Sequence, residues 1–144
     1  MITGLQTTTS LYKFLVNKLA EDADSPLLKN RSVKVFKDDD KNADYSGIYI
    51  AVNALPFTYG PAVNSDNVMN LNIHVPNLTS GKADRALLTE FVDYLLTIFP
   101  LESFDEDSTQ LMIDGVYYTI RAISKPMKDD DDTYFVNVKL KLLF

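Results

Sequence analysis

The chain contains no cysteine. Disulfides and thiolate metal sites are therefore excluded, and the composition is compatible with a reducing cytoplasm. Histidine occurs once, as His74, so several histidines cannot gather around one metal. Basic residues are outnumbered 14 to 20 by acidic ones, which gives a net charge of −6. Such a chain lacks the clustered Lys and Arg on which general phosphate-backbone binding rests. No run approaches the roughly 20 apolar residues that a spanning helix needs. Residues Met1 to Ser10 show neither a basic stretch nor an apolar core, so no signal peptide is expected. Without secretion, the sequons at Asn30 and Asn77 carry little weight.

What remains is the composition of a folded globule. Hydrophobic residues make up 46% of 144, enough for one domain with a sizeable core and no staples. Ser10 is placed to cap an amphipathic helix over Leu11–Asp22, which Ser25-Pro26 ends. Val33–Lys37 and Tyr45–Asn53 read as two strands of a hairpin around the polar run "DDDKNAD". Leu55–Asn67 shows neither helical nor strand periodicity and reads as a long loop. Val68–Val75 alternates cleanly, with Met69, Leu71, Ile73 and Val75 on one face and Asn70, Asn72 and His74 on the other. Thr79 or Ser80 is placed to cap a second helix over Gly81–Phe99, closed by Pro100. Asp114-Gly115 between Thr109–Ile113 and Val116–Ser124 signals a hairpin. Lys125–Asp132 reads as a turn, and Tyr134–Leu143 as the last strand. The expected fold is α+β: a mostly antiparallel β-sheet with two helices packed on one face, a two-layer sandwich.

Three motifs invite chemistry and fail at particular positions. Gly81-Lys82 sits between strand and helix, where a phosphate-binding loop carries such a pair. Pro76 replaces the first glycine of that loop, and Ala83 replaces the magnesium-binding hydroxyl. Asp38, Asp40 and Asn42 match the opening of a calcium loop. Ala43 replaces its glycine, and Tyr49 replaces the bidentate glutamate. His74 lacks a nucleophile elbow to serve. The remaining carboxylates are scattered through loops and propose no acid–base pair. No catalytic residue, cofactor or dedicated metal site is expected. Asp129–Asp132 reads as a solvated charge run that could hold an adventitious cation.

Interaction features are better represented. Asn70, Asn72 and His74 form an amide-rich face suited to a partner. Phe57 and Tyr59 in the long loop are of types enriched at interfaces. Tyr117, Phe135 and Leu143 offer either second-face packing or contact surface.

The segment "MNLNIHVPNLTSGKADRALLTEFVDYLL" resembles the strand–Val-Pro–loop–helix joint of tail-terminator and tail-completion proteins of tailed bacteriophages. The order of elements is similar over nearly the whole chain. The resemblance implies a non-enzymatic structural subunit of the virion, assembled in the cytoplasm of a host bacterium. Members form homo-oligomeric rings, typically hexamers, at the head-proximal end of the tail or in the neck. Their partners are tail-tube, head-completion and connector proteins. They end tail-tube growth or join head to tail, and DNA passes through the lumen without sequence readout. On that reading, Asp38, Asp39, Asp40, Asp129, Asp130, Asp131 and Asp132 would line an acidic lumen or rim. Phe57, Tyr59, Asn70, Asn72 and His74 would serve assembly. No membrane is involved. The alternative is a small soluble adaptor domain that binds a protein through the 55–67 loop and a sheet edge. An enzyme without a recognisable motif is a third possibility, with His74 its only anchor.

Overall fold

Thr3 opens the first helix, α1 (Gly4–Glu21), through a reciprocal capping box. Its hydroxyl accepts from the Gln6 backbone N–H, and the Gln6 side chain accepts from the Thr3 N–H. The computed structural model describes residues 2–37, 40–57, 67–102 and 110–144. α1 thus begins earlier than the expected start at Leu11. The opening threonines are accommodated because Thr7 and Thr8 turn their hydroxyls back onto the Thr3 and Gly4 carbonyls. Both threonines are buried by this arrangement.

The strands are β1 (Val33–Lys37), β2 (Ile48–Ala54), β3 (Asn67–Pro76), β4 (Leu111–Ile113), β5 (Val116–Ile123), β6 (Met127–Lys128) and β7 (Thr133–Leu143). They form one sheet in the order β1-β2-β3-β7-β5-β4, with β6 also paired to β7. The α+β class is as expected. The sheet is mixed and curls into a half-barrel, which a flat antiparallel sandwich would not do. β2 with β3, β3 with β7, β5 with β7, β4 with β5 and β6 with β7 are antiparallel. β1 and β2 run parallel, from Val33 opposite Ile48 to Lys37 opposite Val52, so the expected hairpin is not formed. The chain instead returns to the start of β1 before entering β2. A turn at Asn42–Tyr45 aids the return, and the Tyr45 ring packs edge-on against Phe36 and Tyr49. The Tyr45 hydroxyl donates to the Ile48 carbonyl at 2.6 Å, which fixes the entry to β2.

The second helix, α2 (Arg85–Ile98), is capped by Asp84, whose carboxylate accepts from the Leu87 N–H at 3.2 Å. The expected caps Thr79 and Ser80 lie in the turn before it. Gly81 takes φ +81° there, its N–H donates to the Leu78 carbonyl, and Leu78 N–H donates to the Lys82 carbonyl. These backbone groups are spent on a tight turn, which is a structural role for the Gly-Lys pair. Leu88, Phe91 and Leu95 of α2 join Leu11 and Leu15 of α1 in the core over Ile50, Val52, Met69, Leu71 and Ile73. Phe14 and Phe99 meet edge-on at 6.1 Å between the helices. The Tyr94 hydroxyl donates to Asp22 at 2.8 Å, tying α2 to the end of α1. No helix among the described residues is long and apolar enough to cross a membrane.

Candidate functional site

The face of the sheet opposite the helices is ordered by strand register. Tyr49, Ala51 and Asn53 of β2 stand opposite His74, Asn72 and Asn70 of β3. These in turn stand opposite Phe135, Asn137 and Lys139 of β7. Period-two alternation puts all nine on one face, because the apolar residues between them face the core.

Within this face the amides divide. Asn137 donates through Nδ2 to Asn72 Oδ1 at 2.7 Å across the strands. Asn70 Oδ1 is buried without a hydrogen-bond partner among the described residues. Asn70 and Asn72 remain half-buried, whereas His74 is only 5% exposed. The imidazole lies between two rings, stacked on Tyr49 at 4.2 Å and on Phe135 at 4.8 Å.

The β6–β7 turn completes the burial. Asp129 N–H donates to the Thr133 carbonyl, and Asp132 takes φ +59°. The turn sends Asp130 and Asp132 into solvent while Asp129 and Asp131 are half-buried against the histidine. His74 Nδ1 lies 3.5 Å from Asp129 Oδ2 and 3.0 Å from Thr133 Oγ1. The Thr133 hydroxyl donates to Asp131 Oδ1, and the Tyr49 hydroxyl donates to Asp131 Oδ2. Lys41 reaches in from the loop before β2, 3.9 Å from Asp131 Oδ2 and over the Tyr49 ring.

Proton positions follow from this geometry. A hydroxyl has one hydrogen, and that of Thr133 goes to the Asp131 carboxylate. Thr133 can then only accept from the imidazole, so the proton of neutral His74 sits on Nδ1. Burial lowers the His74 pKa, opposed by the charges of Asp131 and Asp129, and Lys41 lowers it further. Burial pushes the Asp131 carboxyl up, but the hydrogen bonds from Thr133 and Tyr49, with His74 and Lys41 nearby, hold it below its ordinary value. Burial raises the Tyr49 phenol, and Asp131 raises it further. The site therefore sets a buried imidazole that resists protonation against two carboxylates, of which Asp131 is held in its charged form. It can hold a cation or orient the turn.

Other expected site residues lie elsewhere. Asp40 is exposed. Phe57 is half-buried and packs against Phe144 at 5.8 Å. Asp38, Asp39 and Tyr59 lie outside the described residues, as does most of the 55–67 loop. Asn42 Oδ1 accepts from the Asp44 N–H at 3.1 Å, so it serves a turn. The residues that sequence reasoning missed at the site are Tyr49, Lys41 and Thr133. The alternation of β2 placed Tyr49 on one side of its strand, but only the register sets it against His74. A surface groove of about 660 Å³ lies on the helix side between α1 and β1 and has neither carboxylate nor histidine in its lining. The chain matches no known protein-family model and no curated protein sequence.

Proposed function

We propose that this chain is a non-enzymatic structural subunit of a tailed-phage virion, forming a ring of the tail-terminator, tail-completion or connector type. The observation that carries the reading is the joint at the sheet centre. β3 ends in Val75-Pro76, a tight turn follows, and Asp84 starts the helix that covers the sheet. This is the segment by which the chain resembles that family. The finer architecture belongs to the same proposal: a two-layer arrangement whose helices share one face and leave the amide face for neighbouring copies. Partners would be further copies of the chain, typically six to a ring, together with tail-tube and head-completion or connector proteins. Asp38, Asp39 and Asp40, with the exposed Asp130 and Asp132, would present negative charge to DNA and favour sliding over binding. Assembly would take place in the host bacterial cytoplasm, and no membrane partner is invoked.

Light scattering over a concentration series, alone and with a tail-tube protein, tests this reading. A discrete ring mass, and ring density at the tail end in electron micrographs, is expected. A strict monomer under all these conditions, absent from particles, refutes it. The adaptor reading draws on the sheet edges. β4 is an edge strand whose Met112 is 57% exposed, and β1 is the other edge. A stable monomer that captures an extended peptide along either edge would favour that reading instead.

A further inference from the structure

We propose that His74, Asp129 and Asp131 form a binding site for a first-row divalent cation, with Zn²⁺ its best-matched occupant. The proposal does not depend on the ring reading. One ligand atom from each residue lies within 4.8 Å of the others. The 3.5 Å between Nδ1 and Asp129 Oδ2 matches the edge of a tetrahedron about a metal with bonds near 2.1 Å, which is about 3.4 Å.

Three features separate this cluster from an exposed acidic patch. Its nitrogen donor is 5% exposed and held between two aromatic rings, so its direction is fixed before any ion arrives. One carboxylate ligand is itself oriented, because Tyr49 and Thr133 both donate to Asp131. Such outer-sphere hydrogen bonds are the usual accompaniment of a metal ligand. The run also divides by burial, since Asp130 and Asp132 are exposed while the two ligands face inward.

The donor chemistry narrows the ion. One imidazole and two carboxylates suit Zn²⁺ or Mn²⁺, and Zn²⁺ binds such sets more tightly. Ca²⁺ asks for six to eight oxygens, and Mg²⁺ holds its waters. Binding would replace the Nδ1–H donation to Thr133. The neutral imidazole would carry its proton on Nε2 and offer the Nδ1 lone pair, with no net proton released. Thr133 and Tyr49 would keep their hydrogen bonds to Asp131. The ion would pin the β6–β7 turn to the sheet face and stabilise the folded chain in proportion to its occupancy.

The whole chain, freed of metal with a chelator and then dialysed, is titrated with ZnCl₂ by calorimetry, with native mass spectrometry for stoichiometry. One Zn²⁺ per chain is expected, and saturation at a hundredfold excess over Kd should raise Tm by about 8 °C. As the single histidine, His74 gives one set of imidazole signals, and Zn²⁺ should shift them. Mn²⁺ should broaden the same signals. Asp129→Asn alters a side chain that is 39% exposed and should fold, yet lower Zn²⁺ affinity by more than tenfold. Tyr49→Phe should lower it by about tenfold through the loss of outer-sphere support. Asp130→Asn removes a neighbouring charge outside the cluster and should leave affinity unchanged. Absence of saturable binding overturns the proposal. So does binding that leaves the His74 signals in place, or that Asp129→Asn and Asp130→Asn weaken equally.

Discussion

Tyr118→Phe should make this protein more stable. Tyr118 lies on β5, is 0% exposed and packs edge-on against Phe99 at 6.4 Å. Its hydroxyl has no hydrogen-bond partner among the described residues. Folding therefore strips water from a polar group and returns nothing. An orphaned buried hydroxyl costs about 1–3 kcal/mol. Phenylalanine keeps the ring and its contacts and loses only the oxygen. Allowing for the small void left behind, the gain should be about 1 kcal/mol at neutral pH. In a chain of this size that raises Tm by about 3 °C. A second signature appears at high pH. Burial, reinforced by the negative charge of Asp114, pushes the Tyr118 phenol well above its ordinary value. In the unfolded chain the phenol ionises near pH 10, so above that pH the unfolded state binds fewer protons than the folded one. Stability must then fall as pH rises, by about 1.4 kcal/mol per pH unit for each such group. Below pH 10 both states are neutral and the contribution is flat. Tyr45, Tyr49 and Tyr94 are raised as well and keep their slopes in both proteins. Urea denaturation followed by circular dichroism at pH 7.5 and pH 11 reads both effects. The variant should lead at pH 7.5, and its lead should widen by about 1.4 kcal/mol at pH 11. A variant less stable by 1 kcal/mol or more at pH 7.5 would refute the reasoning, because the hydroxyl must then have been bonded. A constant lead would show that the phenol ionises as it does in water.

Asp84→Ala removes the side chain that caps α2 and should destabilise by about 1 kcal/mol, read as a lower urea midpoint at unchanged m. Ser80→Ala, at a residue in the preceding turn, should be close to neutral in the same assay. Gly115→Ala tests backbone strain in isolation. An added Cβ would meet nothing within 4 Å, but φ is +82°, so the expected loss of about 1 kcal/mol comes from the left-handed conformation alone. A neutral result would mean that the β4–β5 turn relaxes to another type.

Local pattern carried the elements whose periodicity is complete. β3 alternates from Met69 to Ile73 and β7 from Val136 to Leu142, and the Asp114-Gly115 turn has positive φ at both residues, as its hairpin requires. α2 was legible by its apolar stripe, while its start was not. Thr79 and Ser80 are good caps in type, but the cap is Asp84, four residues further on than Ser80. α1 was foreshortened because Thr7, Thr8 and Thr9 have modest helix propensity. Their fit depends on hydroxyl bonds to carbonyls one turn back, which propensity does not include. The direction of β1 against β2 was not legible. Residues 38–44 look like a hairpin loop by composition. Nothing in that composition says that Tyr45 will bond the Ile48 carbonyl and lead the chain back to the start of β1.

The candidate site shows the same boundary between local and distant information. Alternation put His74 on the polar side of its strand, which for an isolated strand means solvent. Two things made that inference fail. Register set Tyr49 and Phe135 on either side of the imidazole, from strands far apart in sequence. The β6–β7 turn then closed over it, with Asp132 in the left-handed region turning the chain. A run of four aspartates reads as one surface feature because its members are chemically identical. A turn cannot treat them alike, since successive side chains leave it in different directions. Thr133 is what makes the inward pair tolerable. By giving its hydrogen to Asp131 and accepting from His74, it joins a carboxylate to a neutral imidazole without burying a net positive charge. Thr133→Val should therefore do more than remove one hydrogen bond. It leaves a buried donor on Nδ1 and one Asp131 oxygen without its donor, and should destabilise by about 2–3 kcal/mol in urea denaturation. A loss below about 0.5 kcal/mol would mean that Asp129, 3.5 Å from Nδ1, already serves the imidazole on its own.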